Sequence, residues 1–148
     1  MYERLSIVTR SQERLEDITT RVNDVLRSHE VNEGICYLFV PHTTAGIMVN
    51  ENADPHLATD FLEHMRALVP ASEHFRHAEG NSHAHIKAAL VGHSLVIPVE
   101  DGQLTLGRWQ GVFLAEFDGP QERTVVISMQ STSPITREEP VTRAPRRR

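Results

Sequence analysis

Cysteine is almost missing: the 148 residues contain only Cys36. A single thiol excludes an internal disulfide and a cysteine-cluster zinc site. Cys36 lies inside the apolar run from Gly34 to Val40, where a buried structural thiol is expected. Long apolar runs are also absent. None approaches the roughly 18 residues of a membrane span. The first residues, Met-Tyr-Glu-Arg-Leu, lack the apolar core of a signal peptide. A cytoplasmic protein without membrane contact is the expectation. Basic charge is scarce outside the C-terminal end. The net charge is −5, and residues 131–148 hold five Arg against two Glu, so the rest of the chain carries −8. An acidic body argues against general nucleic-acid binding, which needs a basic face. The same end is rich in Pro and Arg and too poor in apolar residues to support a core. The chain therefore reads as one domain over 1–130 followed by a disordered basic tail over 131–148. At 39% hydrophobic residues the domain has material for a sizeable core.

What is present alternates between two periods. Residues 2–9 alternate and predict a strand; Leu15, Ile18, Val22, Val25 and Leu26 share a helical face, predicting a helix over 14–29. Gly34–Val40 is almost continuously apolar and predicts a central strand buried on both faces. Ile47–Glu51 reads as the next strand. Asp54 then caps a helix with Pro55 at its first position, running to about Leu68 before Pro70. Asn81 or Ser82 can cap a third helix, His83–Val91, stopped by Gly92. Ser94–Val99, Leu104–Leu106, Val112–Phe117 and Arg123–Met129 predict a four-strand meander. Its hairpins fall at Glu100–Gln103, which contains Asp-Gly, and at Asp118–Gln121. The fold class is α+β with an antiparallel-rich sheet system.

Histidine is what the chain has in excess. Three of its nine histidines fall between Arg76 and Lys87, in Arg-His-Ala-Glu-Gly-Asn-Ser-His-Ala-His-Ile-Lys. Neutral imidazole is the commonest protein ligand for zinc, and three protein ligands leave a position for water or substrate. His83 and His85 are two apart, hence about 200° apart on a helix, so both cannot face one site. His42, at the end of the apolar strand, His77 and His85 are the candidate metal set. The donor type favours zinc, with magnesium the alternative where phosphate oxygens supply further ligands. A helix start after Gly80-Asn81 offers free N–H groups to an anion. Thr43, Thr44, Asn81 and Lys87 are the candidate phosphate contacts, with Trp109 and Gln110 in a Gly-bounded corner able to contact a ring. Glu51, Asp60 and Glu116 are the candidate acid/base residues. Glu116 is out of pattern in its apolar strand: facing inward it needs a partner, facing outward it is ordinary alternation. No Gly-x-Ser-x-Gly elbow, P-loop or dinucleotide fingerprint occurs.

Three stretches carry a family resemblance. His-Thr-Thr-Ala-Gly-Ile at 42–47 comes with Asn-Glu-Asn at 50–52, Asp54 and Asp60. His77 precedes Glu-Gly-Asn at 79–81 and Ala-His-Ile-Lys at 84–87. Gly-Arg-Trp-Gln-Gly-Val-Phe-Leu-Ala-Glu-Phe-Asp-Gly-Pro spans 107–120. Together they resemble the YjbQ-like family of small bacterial and archaeal proteins, in order and over essentially residues 1–130. The resemblance implies a two-sheet, β-sandwich-like core with flanking helices and a homotrimer. It also implies a weak, secondary thiamine-phosphate synthase activity, joining a pyrimidine pyrophosphate to a thiazole phosphate. The histidines matching the family's motifs are His42, His77 and His85. Two other readings need the same residues: a non-catalytic trimer that binds a metal or a phosphorylated ligand, and a metal-dependent hydrolase.

Overall fold

The computed structural model describes residues 1–71 and 74–132. The elements are β1 (Tyr2–Val8), β2 (Arg14–Asp17), α1 (Thr19–Ser28), β3 (Gly34–Phe39), β4 (Ala45–Glu51), α2 (Pro55–Leu68), α3 (Ser82–Val91), β5 (Ser94–Glu100), β6 (Gln103–Leu104), β7 (Gln110–Glu116) and β8 (Glu122–Ser131). They form two sheets, one in the order β1-β8-β3-β5-β6 and one in the order β2-β7-β4. Every pairing is antiparallel. The α+β reading with a two-sheet core and flanking helices holds.

One side of each sheet builds a shared core with α1. Val22, Val25 and Leu26 of the helix meet Cys36, Leu38, Ile97, Val125 and Ile127 of the larger sheet and Ile47, Val112 and Leu114 of the smaller. A second cluster covers the other side of the smaller sheet, where Leu62 and Met65 of α2 and Ala84 and Ala88 of α3 pack on Ala115 and Phe117. The order of layers is therefore large sheet, small sheet, helix pair. Burial of each of these large side chains contributes about 1.5–3 kcal/mol.

Three expectations change. The stretch 14–29 is not all helix. Arg14–Asp17 pairs with Phe113–Glu116 as a strand, and the Asp17 carboxylate accepts from Thr19 N and Oγ1 where α1 begins. Leu15 serves the helix-pair cluster and Ile18 the inter-sheet core, so a shared helical stripe was an accident of spacing. β3 is not buried on both faces. Cys36 and Leu38 are buried while Tyr37 and Phe39 are 41% and 48% exposed, because α2 and α3 cover the other sheet. The doubly buried strand is β7, from Gly111 to Glu116. Finally, there is no four-strand meander. β5 and β6 form a hairpin, but β7 and β8 lie in different sheets and Asp118–Gln121 links the two layers. Hairpin spacing does not reveal whether the second strand returns to the same sheet.

α2 begins as expected: Asp54 Oδ1 accepts from His56 N, with Pro55 at the first position. α3 ends at Gly92, whose φ of 99° is open to glycine and costly for other residues. No described helix is long and apolar enough to cross a membrane. β8 reaches Ser131, and the rest of the stretch read as a tail lies, from 133 onward, outside the described residues.

Candidate functional site

The link between β7 and β8 gathers most of the polar candidates. Along β7, Val112, Leu114 and Glu116 point between the sheets; along β8, Arg123, Val125 and Ile127 do the same. The two charged residues therefore meet in the core, at 0% and 2% exposure. Arg123 Nε donates to Glu116 Oε2 at 2.7 Å, and its Nη2 reaches Glu116 Oε1. Thr9 Oγ1 donates to Oε2 at 2.8 Å and Asp118 N to Oε1 at 2.9 Å. Burial works to raise the Glu116 pKa, but the Arg123, Asp118 and Thr9 hydrogen bonds and the Arg123 charge outweigh it and hold the group below the usual carboxylate range. The same Arg123 Nη2 donates to Thr44 Oγ1 at 2.8 Å and to Thr44 O at 3.3 Å, pinning the loop that carries Thr43 and Thr44. Glu116 thus faces inward and is fully engaged, so it positions Arg123 and the threonine loop.

His42 sits on the same framework. Its Nε2 accepts from Thr124 N at 2.9 Å, which requires that nitrogen unprotonated and places the neutral ring's proton on Nδ1. Burial lowers the His42 pKa first, the Arg123 charge lowers it further, and Glu116 acts in the opposite sense. A cleft of about 470 Å³ opens here, lined by Pro41, His42, Thr43, Thr44, His93 and Arg123 among others.

A second group lies at the start of α3. Asn81 occupies the N-cap position without making a side-chain cap. Its Nδ2 donates instead to Asp118 Oδ2 at 2.9 Å, which orients the amide and turns Oδ1 away. His77 and His85 approach with ring centroids 5.0 Å apart and planes tilted by 54°. Asn81 Oδ1 and His85 Nε2 are both buried and have no hydrogen-bond partner among the described residues. A buried polar atom without a partner costs about 1–3 kcal/mol, so each of these two atoms stands open to a further partner. Two imidazoles and an amide oxygen are a donor set that suits a borderline cation such as zinc.

The described residues do not bring the three expected histidines together as a metal set. Among the described residues no three His, Cys, Asp or Glu side chains are arranged to hold a metal. His42 is bound to Thr124 on β8, while His77 and His85 stand beside Asn81. His83 points elsewhere, being buried against Lys87, as the 100° helical step requires.

The remaining candidates sit apart. Ala45 pairs with Glu116 at one end of the β4–β7 ladder, and Glu51 pairs with Gln110 at the other. Six residues at about 3.3 Å each separate those ends by about 20 Å. Trp109 adjoins the far end, 56% exposed, with the Arg108 guanidinium 4.8 Å from its ring centroid. It is therefore not a core residue. Asp60 is exposed on α2. Lys87 is buried and faces Glu13. The residues missed from sequence are Arg123, Thr9 and Asp118. Arg123 had a readable signal, since it shares the inward parity of Val125, Ile127 and Met129. Thr9 and Asp118 had none, because their roles depend on contacts between distant segments.

Comparison with known proteins agrees with this fold and these motifs. The family model for UPF0047 protein YjbQ-like matches residues 3–132. A UPF0047 protein of Methanocaldococcus jannaschii is 45% identical over 129 residues, covering 87% of this chain and 94% of the relative. The UPF0047 protein YugU of Bacillus subtilis is 42% identical over 130 residues, covering 87% and 98%. Among solved structures, a yjbq/upf0047 family protein of Clostridium acetobutylicum superposes with a TM-score of 0.84 at 43% identity, covering 86% of this chain and 99% of that one. A YbjQ-like protein of unknown function from Sulfolobus solfataricus gives 0.84 at 33% identity, covering 89% and 97%. With the match spanning nearly all of the described domain and reaching 45% identity, the chain belongs to the YjbQ-like UPF0047 family.

Proposed function

We propose that the protein binds a phosphorylated small molecule beside a divalent cation, and that it is a transferase of the thiamine-phosphate synthase kind. The observation that carries the binding half is the pair of buried polar atoms without partners among the described residues, His85 Nε2 and Asn81 Oδ1, with the His77 ring beside that of His85. A divalent ion, zinc by donor type and magnesium if a pyrophosphate supplies most of its ligands, would be held by His77, His85 and Asn81. When bound it would supply positive charge against the oxygens of a departing pyrophosphate. The chain's own residues do the rest. Arg123 fixes the Thr43–Thr44 loop at the 470 Å³ cleft, where hydroxyl and backbone donors can meet a phosphoryl group. His42, kept neutral with its proton on Nδ1, offers one further donor there. The reaction itself rests on the family resemblance of the three motif stretches.

A specific observation favours the second reading, a non-catalytic binding protein. Glu116 is locked by Arg123, and Glu51 stands at the far end of the β4–β7 ladder, so neither of these two candidate carboxylates is free beside the threonine loop. Turnover separates the two. Purified protein is supplied with the pyrimidine pyrophosphate and the thiazole phosphate, and thiamine phosphate is measured with and without added zinc or magnesium. The transferase reading expects product that falls at least tenfold in His85→Ala. Metal retention without product, lost in the same variant, supports the binder instead. A homotrimer belongs to the same proposal. Tyr2, Ser128, Tyr37 and Val96 align across four strands on the uncovered face of the larger sheet, with Phe39 nearby. A second copy of this chain is the occupant this face suits. Light scattering should give three chains per particle, and Tyr37→Glu should reduce that mass.

A further inference from the structure

The opposite side of α3 carries cations that the site above does not use. Lys87 has a side-chain exposure of 0% and donates from Nζ to Glu13 Oε1 at 2.9 Å. Its Nζ also lies 3.4 Å from His83 Nδ1, one helical turn earlier. Arg66 of α2 donates from Nε to Glu13 Oε2, also at 2.9 Å. Among the described residues one carboxylate is therefore shared by two cations, a formal surplus of one positive charge. In a chain with net charge −5 this local surplus runs against the background. All four side chains line a cleft of about 440 Å³, closed at one edge by Pro70 and Ala71 and at another by Gln12.

A triad of this kind can serve only to tie helices together, but two features of this one exceed that purpose. A buried ammonium is costly unless its charge is matched, and among the described residues its one anionic partner is already bridged to Arg66. An ammonium has three donors, and among the described residues Lys87 makes two contacts, one of them a long approach to an imidazole nitrogen. The groups also come from three separate places: the segment before β2, the last turn of α2 and the middle of α3. That convergence suits a tetrahedral group with several charged oxygens better than a planar carboxylate.

We propose that this cleft is a phosphoryl-binding site, taking inorganic phosphate or the phosphate of a small ester, with Lys87 and Arg66 as the donors and Glu13 as the internal counter-ion. It lies on the far side of α3 from His77, Asn81 and His85, and it stands whether or not the transferase reading is correct. Arg66 is the side that yields to the ligand, since its side chain is 52% exposed while Lys87 is held in place by the helix.

The test uses the full-length protein after chelator treatment, titrated calorimetrically with inorganic phosphate and with pyrophosphate. Removing one charge-assisted hydrogen bond should weaken binding about tenfold, so Arg66→Gln is expected to raise Kd by that factor. Glu13→Gln removes the competing carboxylate and should tighten binding several-fold, a direction that a merely structural bridge does not predict. Lys87→Met should abolish binding; because it removes a buried charge from the Glu13 bridge, its circular dichroism is compared first, and the Arg66 and Glu13 variants carry the result. The proposal is overturned if neither anion binds at millimolar concentration. It is equally overturned if Arg66→Gln and Glu13→Gln both leave Kd at the parent value.

Discussion

Replacing Glu116 with Gln leaves Arg123 as an uncompensated cation between the two sheets. Four donors converge on the carboxylate: Arg123 Nε and Nη2, Thr9 Oγ1 and Asp118 N. The amide keeps one oxygen for them and turns an NH₂ group toward the others. Breaking a buried pair by removing one partner costs about 3–5 kcal/mol. For a domain of this size, that is a fall in Tm of about 6–20 °C. Urea denaturation at pH 7 is the assay, with the m-value unchanged if the unfolded state is unaffected. The double variant Glu116→Leu/Arg123→Met should recover most of the loss, because an apolar pair needs no compensation. A single variant within about 1 kcal/mol of the parent would refute the reasoning, since the pair would then be poorly coupled or well hydrated. The coupling should also appear in acid. Glu116 is held below the usual carboxylate range, so on acidification the unfolded chain takes up its proton first. Its contribution is fully present above the unfolded value, about pH 4.3, and is lost as pH falls through the folded value.

Three more outcomes are expected. His42 has its pKa lowered, so its imidazole proton resonances should titrate with a midpoint below about 6.5; a midpoint above that would contradict the Thr124 N–H to Nε2 bond. Because the unfolded histidine protonates first, His42 lowers stability as pH falls through the unfolded value, and the loss levels off below the folded one. Burial pushes the Cys36 thiol up to about 12, so a disulfide reagent should leave it unmodified in the folded protein and react at once after denaturation. A methyl group at Gly46 would stand 2.7 Å from Gly92 O and 2.9 Å from Val91 Cγ1, so Gly46→Ala should cost about 1–3 kcal/mol by forcing β4 off the end of α3. Equal denaturation midpoints for parent and variant would show that the contact yields.

Local chemistry is legible in this chain because its signals are short-range. Asp54-Pro55 announces the start of α2, Gly92 the end of α3, and Asp-Gly at 101–102 the β5–β6 hairpin. The family motifs are legible for the same reason, as fixed residues in fixed order. The inward position of Glu116 was readable only as a question, since a lone charge in an apolar strand has two resolutions. The partner that settled it, Arg123, lies in a different sheet.

What the sequence alone determined is most of the elements and their order, the α+β class and the family motifs. What only the tertiary structure decided is how those residues are divided. Layering made β7 rather than β3 the doubly buried strand, because α2 and α3 cover the smaller sheet. The link from β7 to β8 crosses between layers, which brings Glu116 to Arg123 and Asp118 to Asn81. His42 is held by Thr124 of β8 while His77 and His85 approach one another, and α3 turns Lys87 toward Glu13. The physical reason is range: periodicity and capping act over a few residues, whereas these groupings arise from sheet order and helix facing, which no local signal encodes.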